Sequence, residues 1–112
     1  MRLLRVGPLP ADPLAASAQF HAEVLPEVLA EFEHGETVTL AFAPADFTHR
    51  AWRLAVVQGL ARQFAPVRVN AYVGNDEAAI AAALTYLGTA EGVTGQLLQL
   101  DGNGAGEVLS SN

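Results

Sequence analysis

The sequence predicts an α/β protein with four parallel strands, and three observations lead to that prediction. Along the chain, short segments in which apolar and polar residues alternate, as in a strand, are followed by longer segments that have the apolar spacing of a helix. Glycine, proline and helix-capping residues stand at the boundaries between them. The chain has 112 residues, of which 51% are hydrophobic, and this is the size of one domain covering residues 1–112. The order β-α-β-α-β-α-β requires helical crossovers between parallel strands.

Four short segments have the strand pattern. The predicted strands are Arg2–Val6, Glu36–Ala43, Val67–Val73 and Gln96–Leu100. Arg2 and Arg5 favour a position for the first strand at an edge of the sheet. The next two strands alternate apolar residues with polar ones, which are Thr37, Thr39, Arg68 and Asn70. This alternation predicts one well-covered and one poorly covered face of the sheet, unless the polar groups satisfy local hydrogen bonds.

Three longer segments predict the helices. They run from about Asp12 to Glu33, from about Ala45 to Phe64, and from a cap at Asn75-Asp76 to Leu87. Asp12-Pro13 supplies the cap and first-turn proline of the first helix, and His34-Gly35 ends it. Pro26 lies inside this helix, removes one backbone donor and is expected to bend the axis. Ala65-Pro66 and Gly88 end the other two helices.

The composition excludes several classes of function. A formal net charge of −6 argues against nucleic acid or an anionic membrane as the main partner. The chain has no Cys and no Lys, so it has no thiolate site, no Schiff base and no phosphate-loop lysine. The three His residues lack a second ligand at metal-site spacing, and no metal is expected. No apolar run approaches the length of a membrane span, and the N-terminus is too short for a signal peptide, which predicts a cytoplasmic protein.

Two stretches resemble the short-chain dehydrogenase/reductase family. They are RAWRLAVVQGLARQFAPVRVNAYVGND, residues 50–76, and EAAIAAALTYLGTAEGVTGQLLQLDGN, residues 77–103. Upstream, residues 20–42 are similar to the fourth helix and fifth strand of that family. The resemblance covers nearly the whole chain. It implies a truncated Rossmann-like domain of two or three layers that corresponds to the C-terminal half of the family fold.

The resemblance also implies what the chain lacks. Members of the family begin with a strand and a glycine-rich turn that holds the cofactor pyrophosphate at a helix N-terminus. This chain starts about where the fourth strand of the family would be, so no dinucleotide cofactor is expected. The tract Gly102–Gly106 follows the last predicted strand but has only six residues behind it. No helix can form there, and we expect a flexible tail rather than a phosphate site.

The catalytic positions of the family carry other residues in this chain. The resemblance places the Tyr position of the family at Asp46 and its Lys position at Arg50. A carboxylate cannot protonate a carbonyl as a phenol does, and a guanidinium does not titrate. The loop that carries the catalytic Ser of the family is shortened to a few residues at Phe42–Ala45. These replacements predict a protein that is not an enzyme.

Polar and flexible residues near the predicted strand ends form a candidate ligand site. Open α/β sheets bind ligands at the carboxyl ends of their strands. The candidate residues are Asp46, His49, Arg50, Asn70 and Gly74. The alternative is that Asp46 and Thr48 simply cap the following helix.

The helix predicted over residues 45–64 carries two apolar stripes. One stripe, with Phe47, Ala51, Leu54 and Ala61, is suited to packing on the sheet. The other, with Trp52, Val56 and Leu60, points away from it and favours an oligomer interface. The opposing surface would come from the long first helix, with Leu25, Val28, Leu29 and Phe32. Alternatively, neighbouring helices of the same chain cover the second stripe.

Three functions fit these observations. The first is a non-catalytic interaction module that forms homodimers or larger assemblies, as the paired fourth and fifth helices do in the family that the chain resembles. The second is an auxiliary subunit of a full-length short-chain dehydrogenase. The third, from a different class, is a protein that binds a small ligand or nucleotide at the strand ends.

Overall fold

A computed structural model describes residues 1–100 and confirms the α/β class with four parallel strands in one sheet. The strands are β1 (Arg2–Arg5), β2 (Val38–Phe42), β3 (Val69–Val73) and β4 (Leu97–Gln99). The α-helices are α1 (Pro13–Gln19), α2 (Leu25–Glu31), α3 (Arg50–Gln63) and α4 (Glu77–Thr89). This is the arrangement of a truncated Rossmann-like fold. The expectations for the tail from Asp101 and for its glycine tract lie outside the described residues.

The strands lie in the order β1-β2-β3-β4, and each pairs in parallel with the next. β1 is therefore at an edge of the sheet, as its two arginines predict. The register places Leu40 of β2 between Leu4 of β1 and Ala71 of β3. Because all four strands run in one direction, the loops that follow β1, β2 and β3 lie together at the carboxyl ends of the strands. This is where open α/β sheets bind ligands.

The long first helix is interrupted upstream of Pro26, as its missing donor requires. α1 is followed by a π-helical turn, Phe20–Val24, and then by α2, which has Pro26 in its first turn. The N–H of Leu25 donates to the carbonyl of Phe20, five residues back, so the irregularity absorbs the lost hydrogen bond. A short 3-10 turn and Gly35, at φ 70°, then end the segment at the predicted place.

The helices are divided between the two faces of the sheet. The main core fills one face, where α2 and α3 pack on Val38, Leu40 and Val69. The buried residues of α4, Ala83 and Leu87, lie outside that cluster. α4 covers the second face, and the crossover from β3 to β4 therefore has the opposite hand to the crossover from β2 to β3. Since nearly all such crossovers are right-handed, this exception is a distinctive feature of the fold.

The second face is better covered than the alternation predicts, and its polar groups satisfy local hydrogen bonds. Thr39 and Asn70 are both fully buried. Arg68 donates to the carbonyls of Leu87 at 2.9 Å and Ala90 at 2.8 Å at the end of α4, and the Ala90 carbonyl also accepts from the N–H of Val93 at 3.0 Å. Thus the prediction of a poorly covered face holds only beside β1, where Arg5 is exposed.

The orientation predicted for α3 is wrong. The stripe of Trp52, Val56 and Leu60 faces the core, where Val56 and Leu60 are buried. The indole of Trp52 packs against Phe20 with ring centroids 5.4 Å apart. Neighbouring elements of the same chain therefore cover this stripe, because the aromatic side chains of the first helical segment reach over it.

The other predicted interface residues are mostly inside the chain as well. Val28 is buried, while Leu25 and Phe32 are partly buried against the core. Leu29, at 38% exposure, is the member that faces outward. In the stripe predicted to face the sheet, Phe47 is 86% exposed and Ala51 is exposed, although Ala61 is buried.

Candidate functional site

Two clefts open at the carboxyl ends of the strands. The first, which we call the β1–β2 cleft, lies between the loop Gly7–Ala11 after β1 and the loop Ala43–Asp46 after β2. The second, the α3–β4 cleft, lies between the start of α3 and the ends of β3 and β4. Each has a volume of about 310 Å³. Both are lined by Ala45, Asp46 and Arg53, so the two clefts adjoin at these residues.

Asp46 caps the turn that leads into α3. Its carboxylate accepts hydrogen bonds from the backbone N–H of Thr48, at 2.9 Å, and from the Thr48 hydroxyl. The hydroxyl and the backbone N–H of Thr48 hold the pKa of Asp46 below its usual value. The carboxylate is therefore charged, exposed and occupied by the cap, as in the alternative that the sequence leaves open.

His49 is buried and has a partner for each ring nitrogen. The indole N–H of Trp52 donates to its Nδ1 at 3.2 Å, which places the imidazole proton on Nε2. Nε2 in turn donates to the carbonyl of Ala11 at 2.9 Å. His49 consequently ties the loop after β1 to α3 and has no free nitrogen to offer a ligand.

Arg50 and Arg53 lie three residues apart on α3 and both line the α3–β4 cleft. Arg50 is exposed, whereas Arg53 is only 6% exposed. Among the described residues, neither guanidinium forms an ion pair with a carboxylate.

Arg53 is a buried cation held by weak partners. Its Nη1 donates to the carbonyl of Ala43 at 3.1 Å, and its Cζ lies 4.6 Å from the centre of the Phe42 ring. Its Nε is buried and has no hydrogen-bond partner in the described part of the chain. Burial lowers the pKa of this guanidinium. An unpaired buried ion costs on the order of several kcal/mol, and the carbonyl and the ring offset only part of that cost.

Asn70 does not belong to the site, contrary to the prediction. It lies near the amino end of β3 with its side chain fully buried on the second face. Its Nδ2 donates to the carbonyl of Val93 at 3.0 Å, and its Oδ1 accepts from the N–H of Gln96 at 3.0 Å. The side chain therefore fixes the loop before β4 and leaves no group for a ligand.

Gly74 lines neither cleft. It lies in a third groove with Tyr72 and Ile80, which adjoins the β1–β2 cleft at Val6 and Phe42. A Cβ atom on Gly74 would lie 2.5 Å from the carbonyl oxygen of Leu100. Glycine is thus required here for the close approach of the chain after β4, a packing role rather than a ligand role.

The sequence places Asp46, His49 and Arg50 in one site. In the structure Asp46 lines both clefts, His49 lines only the β1–β2 cleft and Arg50 only the α3–β4 cleft. Arg53, which lines both clefts, was missed by the sequence reasoning. The missed signal was a charged residue next to Trp52 and three residues before Val56, within the apolar side of α3. A charge inside an apolar stripe marks either the solvent boundary of a helix or a buried ion with a function. The structure shows the buried ion.

Three further features of the described residues bear on function. Tyr72 and Tyr86 lie in β3 and α4, and neither lines either cleft. Residues 1–100 contain no group of three or more His, Asp or Glu side chains arranged to hold a metal ion. None of their helices combines the length and apolar character needed to cross a membrane.

The fold and the strand-end clefts define a Rossmann-like α/β domain with one crossover of unusual hand. A family model described as "Short chain dehydrogenase-like protein" matches residues 4–100. The chain therefore belongs to the short-chain dehydrogenase-like family. Neither a search of curated proteins nor a search of solved structures finds a match to the chain.

Proposed function

We propose that this chain is a non-catalytic member of its family that corresponds to the C-terminal half of the family fold and acts by self-association. The chain has no Lys, so the Tyr–Lys pair of the dehydrogenases cannot form. At the positions that the resemblance assigns to that pair, Asp46 caps a helix and Arg50 is exposed to solvent. Neither arrangement supplies a proton donor to a carbonyl group at the strand ends.

The observation that supports self-association is a separation of charge. It lies between the two helical segments that pack on the face of the sheet with the main core. Residues 12–36 hold six of the twelve acidic residues and no arginine. Residues 47–75 hold four of the six arginines and no acidic residue. Among these, Glu27 and Glu33 of the α2 segment and Arg50 and Arg62 of α3 are exposed. A two-fold axis that places α2 of one copy on α3 of the other brings opposite charges together.

The outward surface of α3 also suits close packing. Ala51 and Ala55 are exposed on this helix, and Gly59 follows one turn later. A Cβ atom on Gly59 would meet no other atom within 4 Å, so the helix presents an open, flat side. Leu29 of α2 and Phe47, three residues before α3, are further exposed apolar side chains. This surface replaces the buried row of Trp52, Val56 and Leu60 as the proposed interface.

A pair of matched glycine substitutions tests the proposal. We expect Gly59→Arg to convert the assembly to a monomer, because a long charged side chain cannot fit between two closely packed helices. Gly88→Arg in α4 is the control, since a Cβ there also meets nothing within 4 Å. Arginine forms helices better than glycine by roughly 0.5–1 kcal/mol, so neither variant should unfold the monomer.

The measurement is the mass in solution by light scattering at several micromolar concentrations. We expect the wild-type chain and the control variant Gly88→Arg to have twice the chain mass of 11.8 kDa. The variant Gly59→Arg should have the mass of a single chain. A wild-type monomer at all concentrations, or a Gly59→Arg variant that still assembles, would contradict self-association through this surface.

Pairing with a full-length short-chain dehydrogenase is the second candidate, and the open edge of β1 favours it. The outer side of β1 pairs with no other strand in residues 1–100. An unpaired edge is a ready surface for another sheet. This candidate predicts a purified chain that is monomeric alone but co-purifies with such an enzyme from its native host.

A further inference from the structure

We infer that the α3–β4 cleft binds a small organic molecule through one oxyanion group, carboxylate or phosphate, with Arg53 as the anchoring residue. The inference does not depend on self-association, because its anchoring residue, Arg53, is buried and is not part of the proposed interface, although Arg50 and Phe47 contribute to both surfaces. It goes beyond the sequence prediction of a ligand site, which did not include Arg53.

The hydrogen bonding of Arg53 leaves one side of the guanidinium without a protein partner, although Nε on that side is buried. Nη1 is directed to the Ala43 carbonyl, while Nε has no partner among the described residues. The N–H groups on Nε and Nη2 form the fork that binds two oxygens of a carboxylate or phosphate at once. A lysine at this position would offer only a point charge. The residue type and its unused edge therefore both point to an oxyanion.

The remainder of the cleft fits the organic part of such a ligand. Phe47, Val73 and Leu97 supply apolar walls, and Gln99 supplies a polar group at the end of β4. Arg50 adds a second positive charge at the mouth. The exposed, charged carboxylate of Asp46 also lines the cleft and offsets one of the two arginine charges, so that a single positive charge remains for the ligand. A volume of about 310 Å³ suits a small ligand rather than a dinucleotide.

Trp52, the only tryptophan of the chain, reports binding. Its ring lies 5.7 Å from the Cζ of Arg53, so an anion at the guanidinium should change its fluorescence. Four probes are titrated at low salt: benzoate, phenyl phosphate, inorganic phosphate and neutral benzyl alcohol. A single charged fork in a half-open cleft gives an expected Kd of about 1 mM for the better of the two aromatic anions.

The pattern across the probes decides the ligand chemistry. Benzoate and phenyl phosphate distinguish a planar from a tetrahedral oxyanion, and saturable binding of either supports the inference. We expect inorganic phosphate to bind more weakly than phenyl phosphate, since it lacks an apolar body. Benzyl alcohol should give no saturable change. No saturation by any anion up to ~20 mM, or equal binding of the neutral probe, would overturn the inference. If inorganic phosphate binds with the same affinity as phenyl phosphate, the part of the inference that assigns an organic ligand is overturned.

Variants of Arg53 separate a binding role from a structural one. We expect Arg53→Met to abolish anion binding and to melt at the same or a higher temperature, because it removes an unpaired buried charge and keeps the volume. Arg53→Lys keeps the charge without the fork and should bind about tenfold more weakly. Arg5 is an exposed arginine on the second face, and the variant Arg5→Gln should bind the anion probes with the same affinity as the wild-type chain.

Retained binding in Arg53→Met would overturn the inference. If that variant does not fold, Arg53→Lys decides, and wild-type affinity in this variant would contradict recognition by the guanidinium fork. Loss of binding in Arg5→Gln as well would show that the anions act through general charge, and this result would also contradict a site at Arg53.

Discussion

We expect Phe20→Ala to lower the free energy of unfolding by about 3–5 kcal/mol, the largest effect of any single truncation in the described core. Phe20 is fully buried in the π-helical turn. Its ring lies between those of Phe42, at 6.0 Å, and Trp52, at 5.4 Å, and so joins the first helical segment to the sheet and to α3. Removing the ring leaves a cavity where three elements meet.

Urea unfolding measures this effect. A domain of this size has a total stability of about 5–15 kcal/mol, so Phe20→Ala should be partly unfolded in the absence of denaturant at the lower end of that range. Leu14→Ala is the matched control, because Leu14 is an aliphatic residue of α1 that is 82% exposed. A loss of less than ~1 kcal/mol for Phe20→Ala would contradict the packing of the π-helical turn on the sheet.

The second large effect is expected at Asn70. Asn70→Asp keeps the shape but replaces the Nδ2 donor by an oxygen that faces the Val93 carbonyl, 3.0 Å away in the native chain. Two buried acceptors then oppose each other, and the ionised carboxylate is fully buried. We expect a loss of about 2–4 kcal/mol at neutral pH, since a buried group left without a partner costs roughly 1–3 kcal/mol and a charged one costs more.

Asn75→Asp is the control for the same chemical change. Asn75 is exposed and precedes the N-cap of α4, where a negative charge is tolerated. We expect its stability to stay within about 0.5 kcal/mol of the wild-type value in thermal or urea unfolding. Equal stability of Asn70→Asp and Asn75→Asp would contradict the role of Asn70 in fixing the loop before β4.

The fold was predictable from the sequence because local signals and topology agree. Asp12, Gly35 and Asp76 cap or end helices where their residue types indicate. That Pro26 would interrupt the first helix was predictable, but the kind of irregularity that results was not. A missing donor is compatible with a kink or a π-helical turn, and the choice depends on where the buried Phe20 must lie.

The rotation of α3 was not predictable from the helix alone. Two apolar stripes of similar character run along it, and Arg53 beside the stripe of Trp52 favours an outward position for that side. The structure buries this side, because packing with Phe20 and Phe42 outweighs the cost of the charge. In the same way, Asn70 has the pattern of an exposed position on a strand, but it is buried with partners from a loop more than twenty residues away.

The division of helices between the faces links the fold to the proposed site. α4 crosses on the second face, and the first face beside β4 has no helix of its own among the described residues. The flank between α3 and β4 is therefore open, and Arg53 is one of the residues that line the cleft there. The same Rossmann-like framework that positions a dinucleotide in the dehydrogenases would here position a single charged side chain.

Binding of reduced dinucleotide tests the central claim, that this chain keeps the fold of its family without the dehydrogenase chemistry. NADH and NADPH are titrated into the full chain, and energy transfer from Trp52 to the nicotinamide is followed. We expect no saturable transfer at dinucleotide concentrations up to about 1 mM. Saturable binding with a Kd below ~100 μM, followed by oxidation of the bound cofactor when a carbonyl compound is added, would contradict the claim.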